Sequence, residues 1–351
     1  VWKKGYITGS VCKKLLIAII LVLLAANAKI LQKSAFKVPS NIKIGLITDV
    51  GGLGDYSFND SAYEGIMKAN KTLNIPVKVV TSSSVDDYEE NFDTLSQQHY
   101  DIIIALGYSM EEALQEAALK HPEIKFVLID GVVDLPNVLS ITFREEEGAF
   151  LAGVLASTLT KKGKVGFLGG VKSSLIDKFE AGYRAGVLAV NPKIKVETKY
   201  TGSFNDPSSG NHLAKILFSQ GVDIIFHASG RCGLGAIQVA REYPSKVFII
   251  GVDSDQDELG VVKDKSGRII KTAVLTSMMK RVDMAIYEVC QKAKEGKFTP
   301  GHISLGLKEK GIGLSPMKYT RYLIPLTVLK EIENFSNKII SGKIKVPTTL
   351  K

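Results

Sequence analysis

The segment Asp49-Val-Gly-Gly-Leu-Gly-Asp-Tyr-Ser-Phe-Asn-Asp60 gathers three carboxylates, an amide and a phenyl ring around a glycine-rich turn. Such a set accepts hydrogen bonds from a ligand's N–H and O–H groups and offers it an aromatic face. The glycines also invite comparison with a dinucleotide loop. That fingerprint needs a glycine three residues after Gly54, where Ser57 stands. The segment has no Lys or Arg, and its carboxylates would oppose a pyrophosphate at a helix N-terminus. An uncharged ligand rich in donors suits it better. On local grounds Asp55 and Asp60 also read as turn and capping residues, and Phe58 as core.

The turn needs elements to hold it. Lys43–Thr48 before it is a short apolar run of the kind that forms a buried parallel strand, and Ala62, Ile66, Ala69 and Leu73 after it recur at helical spacing. Polar groups leaving the C-terminal end of a strand are where open α/β sheets bind ligands. Other candidates stand at similar strand ends: Asp130, Phe204, Gly230, Asp253 and, just inside a predicted helix, Lys280. Each has a plain structural alternative, namely a cap or hinge bond for the aspartates, loop packing for Phe204 and solvation for Lys280. Ser229-Gly-Arg-Cys-Gly-Leu-Gly235 is a second glycine-rich turn. It fails the nucleotide fingerprint and reads as a close backbone approach to a ligand.

Strand-like and helical runs alternate along the chain. Strands are expected at Lys43–Thr48, Val77–Thr81, Asp101–Leu106, Lys125–Asp130 and Val138–Phe143, with helices near 59–73, 87–98 and 109–120. A second series follows: helix 145–161, strand Lys164–Leu168, helix 175–190, strand Lys195–Tyr200, helix 208–219, strand Val222–His227, helix 234–242 and strand Lys246–Val252. A strand at Lys271–Thr276, a long helix at Met278–Lys294 and a last helix near 325–341, capped by Gly342, complete it. Two βα series of similar size predict an α/β chain of two doubly wound parallel-sheet lobes.

The 351 residues suffice for two domains. At 45% hydrophobic and 23% charged the chain is globular. Its formal charge of +9 includes four lysines near the N-terminus, Lys3, Lys4, Lys13 and Lys14. The rest is spread without a basic stripe interleaved with aromatics, so no nucleic-acid partner is expected. Lysines followed by the apolar run Leu15–Ala26 and the small residues Ala26-Asn27-Ala28 read as an export signal over residues 1–28, with a polar tether over 29–41. An uncleaved anchor is the alternative. Cys232 and Cys290 could form one disulfide, but no cysteine or histidine spacing suggests a metal, and no cofactor is expected.

Five stretches carry a family resemblance: Ser57-Phe-Asn-Asp-Ser-Ala-Tyr-Glu-Gly65, Phe143-Arg-Glu-Glu-Glu-Gly-Ala-Phe-Leu-Ala-Gly153, Lys164-Val-Gly-Phe-Leu-Gly-Gly170, Gly251-Val-Asp-Ser-Asp-Gln256 and Thr276-Ser-Met-Met-Lys-Arg-Val-Asp283. In this order, from about Lys43 to Pro347, they resemble the basic membrane protein family, and within it the purine nucleoside receptor lipoproteins of spirochaetes. The resemblance implies a type I periplasmic-binding-protein fold with three crossovers. The lobes it implies are 42–143 with about 277–304, and 144–276 with about 305–351. It implies a non-enzymatic substrate-binding protein that serves an ABC permease and ATPase. Its ligand would be a purine nucleoside: adenosine, guanosine or inosine. Phe58 and Phe204 would flank the purine, Asp49, Asn59 and Asp130 would meet the base, and Asp253, Gly230 and Lys280 would hold the ribose.

Two positions depart from the family pattern. Asn27 replaces the lipid-carrying cysteine of a lipobox, so an exported, periplasmic or membrane-associated protein is expected without the usual anchor residue. Arg231 stands where relatives carry a small or neutral residue, which leaves open an anion beside the ribose. Three other functions compete with the nucleoside reading: binding of another small solute such as a sugar or nucleotide, surface adhesion, and nucleoside hydrolysis. Adhesion through positive charge would fall steeply with salt. Hydrolysis lacks a metal cage or an activated nucleophile in the sequence.

Overall fold

The computed structural model describes residues 42–243 and 246–350; the expected signal, tether and Asn27 lie outside them. The first lobe opens with β1 (Ile44–Ile47), α1 (Phe58–Leu73), β2 (Val77–Val80), α2 (Asp87–Gln97), β3 (Ile102–Leu106), α3 (Glu111–Lys120), β4 (Lys125–Ile129) and β5 (Val138–Phe143). The second takes α4 (Glu145–Leu159), β6 (Lys164–Gly169), α5 (Ser174–Val190), β7 (Lys195–Tyr200), α6 (Pro207–Ser219), β8 (Ile224–Ala228), α7 (Cys232–Glu242) and β9 (Phe248–Asp253). A small antiparallel hairpin, β10 (Val261–Lys263) with β11 (Ile269–Thr272), precedes β12 (Val274–Lys280). Then come α8 (Val282–Lys294), β13 (Gly301–Leu305), β14 (Ile312–Leu314) and α9 (Leu326–Ile340).

The strands form two six-stranded sheets in the orders β13-β5-β4-β3-β1-β2 and β14-β12-β9-β8-β6-β7. All pairings are parallel except β12 with β14. Strands such as β1 and β3 are continuous apolar runs because helices cover both faces of a parallel sheet. The chain passes between the sheets after β5, after β12 and after β13. Gly65 lets α8 return against α1, since a Cβ there would strike the Asp283 backbone.

The long helix begins later than its spacing predicts. Met278, Met279 and Lys280 are strand: all three pair with β14, Met278 and Met279 also pair with β9, and Met278 is fully buried in the sheet. Met278 matched the helical pattern of Val282, Ala285 and Val289 only because a buried strand and a helix face are both apolar. Lys280 is therefore the last residue of a strand, not the start of a helix. The edge strands β13 and β14 and the β10–β11 hairpin were not expected. β13 is largely exposed and β14 is only three residues long, so neither carries the apolar signal of a buried strand.

Candidate functional site

The two sheets turn the C-terminal ends of β1, β3, β4, β6, β8 and β9 toward one another, and a cavity of about 250 Å³ lies between them. This is just below the usual range of small-molecule sites, ~300–1,000 Å³. Asp49, Phe58, Asn59, Asp130, Phe204, Gly230, Asp253 and Lys280 all line it. Asp55, Ser229 and the apolar Val171, Leu175, Ile176 and Phe179 complete much of the wall. Four carboxylates and a single cation, Lys280, are among the lining residues.

The glycine-rich turn after β1 keeps its N–H groups for itself. Asp49 accepts from Gly51 N–H at 2.8 Å, and Asp60 from Gly54 and Tyr56 N–H, both at 2.8 Å. Asp55 accepts from the N–H groups of Ser57 (2.8 Å), Asn59 (2.9 Å) and Asp60 (3.1 Å), capping α1. The local reading of Asp55 and Asp60 as capping and turn residues therefore holds, although Asp55 also reaches the cavity wall. A phosphate loop offers N–H groups outward. Here carboxylates hold the N–H groups of Gly51, Gly54, Tyr56 and Ser57, and Gly52 N–H bonds the Asp49 carbonyl.

Asn59 donates its Nδ2 to Asp49 (2.8 Å) and Asp55 (3.1 Å), which leaves its buried Oδ1 with no partner among the described residues. The buried Asp130 Oδ1 also has none. Unpaired buried acceptors are costly, so these two atoms mark where a ligand's donors would be rewarded. Asp49 retains some exposure, but burial raises its carboxyl to about 6, against the lowering bonds from Asn59 and Gly51. Burial likewise raises Asp253 to about 6, against Lys280 and the Ser57 hydroxyl, which donates to it at 2.5 Å.

Asp130 and Asp253 share an unusual backbone, with φ of 67° and 64°. Left-handed conformations cost a non-glycine residue roughly 1–3 kcal/mol, though short polar side chains such as Asp tolerate them better than most. A glycine would relax the turn and lose the carboxylate. Asp130 directly follows β4 and Asp253 ends β9, and these strands hold corresponding places in the two sheets.

Lys280 is buried and its ammonium pairs with Asp130, with Glu145 at 3.7 Å. Burial alone would lower its pKa, but Asp130, Glu145 and Asp253 outweigh it, so the lysine stays protonated. The ammonium also lies 4.8 Å from the Phe58 ring centroid and 5.8 Å from that of Phe179. The resemblance implied that Lys280 donates to the ribose; in the structure much of its capacity goes to carboxylates. Burial raises Glu145 to about 7, partly countered by Lys280.

Phe204 is held by its own backbone: its carbonyl accepts from Arg231 N–H at 2.9 Å, and a Cβ on Gly170 would meet its ring. Arg231 does not line the cavity. Its guanidinium donates to the Leu53 carbonyl of the opposite lobe. Among the described residues, Cys232 and Cys290 are both buried and form no disulfide. Sequence reasoning missed Ser57, Glu145, Phe179 and Gln256. Gln256 is buried where its Oε1 accepts from Val252 N–H (3.2 Å) and from His227 Nε2 (2.9 Å). That bond fixes the imidazole tautomer, and burial lowers His227 to about 4, so it is neutral. Only the quoted stretches Phe143–Gly153 and Gly251–Gln256 hinted at Glu145 and Gln256.

Residues 42–349 match the profile of a family described as Bmp, ABC transporter substrate-binding protein PnrA-like. The chain belongs to the Bmp family. It is 36% identical to the ABC transporter nucleoside-binding protein BmpA of Lactococcus lactis subsp. cremoris, over 89% of this chain and 91% of that protein. It is 38% identical to basic membrane protein A of Borreliella burgdorferi, over 87% and 88%. A solved solute-binding protein of an ABC transporter system from Aeropyrum pernix K1 has a TM-score of 0.78 at 30% identity, covering 88% of this chain and 94% of that one. One from Conexibacter woesei, at 21% identity and a TM-score of 0.69, shares the fold. The Bmp chain thus has the type I periplasmic-binding-protein fold and is an ABC transporter substrate-binding protein. That role is exported or membrane-associated and works with permease and ATPase subunits. Among the described residues no helix is long and apolar enough to cross a membrane.

Proposed function

We propose that this Bmp protein captures purine nucleosides in its interlobe cavity and delivers them to an ABC permease. The observation that carries the proposal is the pair of unpaired buried acceptors, Asn59 Oδ1 and Asp130 Oδ1, in a cavity walled by aromatic and aliphatic side chains. A flat, neutral ligand that bears N–H and O–H donors satisfies both features. The nucleoside-binding relative from Lactococcus lactis supports the same class.

Phe58 and Phe204 would flank the purine, and stacking of this kind is worth ~1–3 kcal/mol per base. Asp49, Asn59 and Asp130 would receive donors from the base. Asp253, Gly230 and the remaining capacity of Lys280 would meet the ribose. Arg231 stands outside the cavity lining and directs one guanidinium nitrogen to the Leu53 carbonyl, while its buried Nε has no partner among the described residues. Lobe closure around the ligand supplies the difference between two states that a transporter reads. The substrate reading needs no chemistry at the ligand, and inosine incubated with the protein should yield no free hypoxanthine.

Native mass spectrometry of freshly purified protein tests the proposal. A retained mass equal to a purine nucleoside, displaced by added inosine, is the expected result. A retained sugar or nucleotide would overturn it.

A further inference from the structure

The turn after β1 is gripped from the other lobe in a way that none of the cavity contacts requires. Four carbonyls of one segment, those of Val50, Leu53, Tyr56 and Ser57, each accept a hydrogen bond from a side chain of the second lobe. Asn205 Nδ2 donates to Val50 O at 3.2 Å, and the Arg231 guanidinium to Leu53 O. Gln256 Nε2 donates to Tyr56 O at 2.9 Å, and Ser254 Oγ to Ser57 O at 3.2 Å. Within the segment, Asp49, Asp55 and Asp60 hold the N–H groups of Gly51, Gly54, Tyr56 and Ser57. Left-handed backbone at Gly52, Gly54 and Tyr56, with φ of 62°, 87° and 50°, curls the segment.

We infer that the carbonyl rim of residues 50–57 and the donors Asn205, Arg231, Ser254 and Gln256 form a clasp that holds the lobes shut over the ligand. Asn205 and Arg231 are its outer part. Asn205 is exposed and Arg231 lies outside the cavity lining, so both act on the ligand only through closure. Both also flank Phe204, the first as its chain neighbour and the second through its N–H on the Phe204 carbonyl. The clasp therefore couples closure to the position of that ring. Arg231 is the one charged donor of the four, and bonds to charged groups are the stronger ones. It is a positioning residue that sets how long a ligand stays. This inference does not depend on which ligand fills the cavity.

Two readouts test it. In the first, inosine is the probe and its association and dissociation are followed by surface plasmon resonance. Arg231→Ala should release inosine about tenfold or more faster with association changed less than about threefold, and Asn205→Ala should do the same more weakly. In the second, nitroxides on Leu119→Cys and Leu188→Cys, exposed on α3 and α5, report the lobe separation in a Cys12→Ser background; Cys232 and Cys290 are buried. Arg231→Ala should lengthen that distance while the urea midpoint of ligand-free protein stays the same. If wild type fails to bind inosine but the distance still shifts, the nucleoside reading falls and the clasp stands. An unchanged distance and unchanged dissociation in Arg231→Ala would overturn the clasp. So would a lowered ligand-free midpoint with unchanged rates, which would make Arg231 merely structural.

Discussion

The two lobes have corresponding strand orders, β2-β1-β3-β4-β5-β13 and β7-β6-β8-β9-β12-β14, and in each a left-handed aspartate stands at the end of, or just after, the fourth strand. Their contributions to the cavity differ. The first lobe brings Asp49 and Asn59, bonded to each other, with Asp130 and the ring of Phe58; Asn59 and Asp130 each present a free acceptor. The second brings Val171, Leu175, Ile176, Phe179 and Phe204, a mostly apolar wall, with Asp253 and Lys280 at its inner edge. The turns after the first strands differ in the same sense. In the first lobe carboxylates absorb the N–H groups of the turn, whereas after β6 the two glycines Gly169 and Gly170 lead to Ser173, which caps α5. One architecture used twice thus yields a polar jaw and an apolar jaw. That division suits a ligand with a hydrogen-bonding edge and an aromatic face.

The largest expected effect lies where the jaws meet. Lys280→Ala removes the cation that compensates Asp130, Glu145 and Asp253, and breaking a buried pair in this way costs about 3–5 kcal/mol. Urea unfolding of the ligand-free protein measures it. A loss under about 1 kcal/mol would mean that the carboxylates accept protons instead, and the inner edge would not be the electrostatic seam described. Asn59→Ala attacks the polar jaw next. It removes the free acceptor and the amide that holds Asp49, and nucleoside affinity should fall by about 2–3 kcal/mol. Calorimetry showing an unchanged dissociation constant would remove the polar jaw from recognition.

Phe204→Ala should weaken nucleoside binding by roughly 1–3 kcal/mol and leave the ligand-free unfolding midpoint in place, because the ring is half-buried in a loop. Phe58→Ala should do the same to binding. Loss of ligand-free stability larger than loss of affinity would return Phe58 to the core, as its local reading allows.

The pH dependence is the mildest test. Asp49 and Asp253 titrate near 6 when folded and near 3.8 when unfolded. Their stabilising contribution is therefore fully present below about 3.8 and is lost as pH rises through about 6. Ligand binding runs the other way, since donors on the ligand need ionised acceptors. Affinity should fall as pH drops through 6, by up to about tenfold per pH unit for each proton that must leave. A flat profile between pH 5 and 7.5 would show that neither carboxylate meets the ligand in charged form.

Much of this was legible in the residues. Alternating apolar runs and helical spacings gave both βα series, because parallel strands buried on two faces leave a strong local signal. The strand ends then pointed to Asp49, Asp130 and Asp253. The misplacement of Lys280 came from a buried strand whose last turn of sequence mimics a helix face. What local pattern could not carry was partnership across the cleft. Nothing in Gln256 or Ser57 announces that each bonds to the other lobe, and the sequence, which leaves open an anion beside Arg231, carries no sign of its bond to the Leu53 carbonyl.

The central claim is that the cavity takes a neutral nucleoside and not an anion. Calorimetric titration of ligand-stripped protein with guanosine and with guanosine monophosphate, at two salt concentrations, tests it most directly. Four carboxylates against one cation among the residues lining the cleft should make the nucleoside bind at least about tenfold tighter, a gap of about 1.4 kcal/mol. Equal or tighter binding of the monophosphate, lost in Arg231→Ala, would contradict the account.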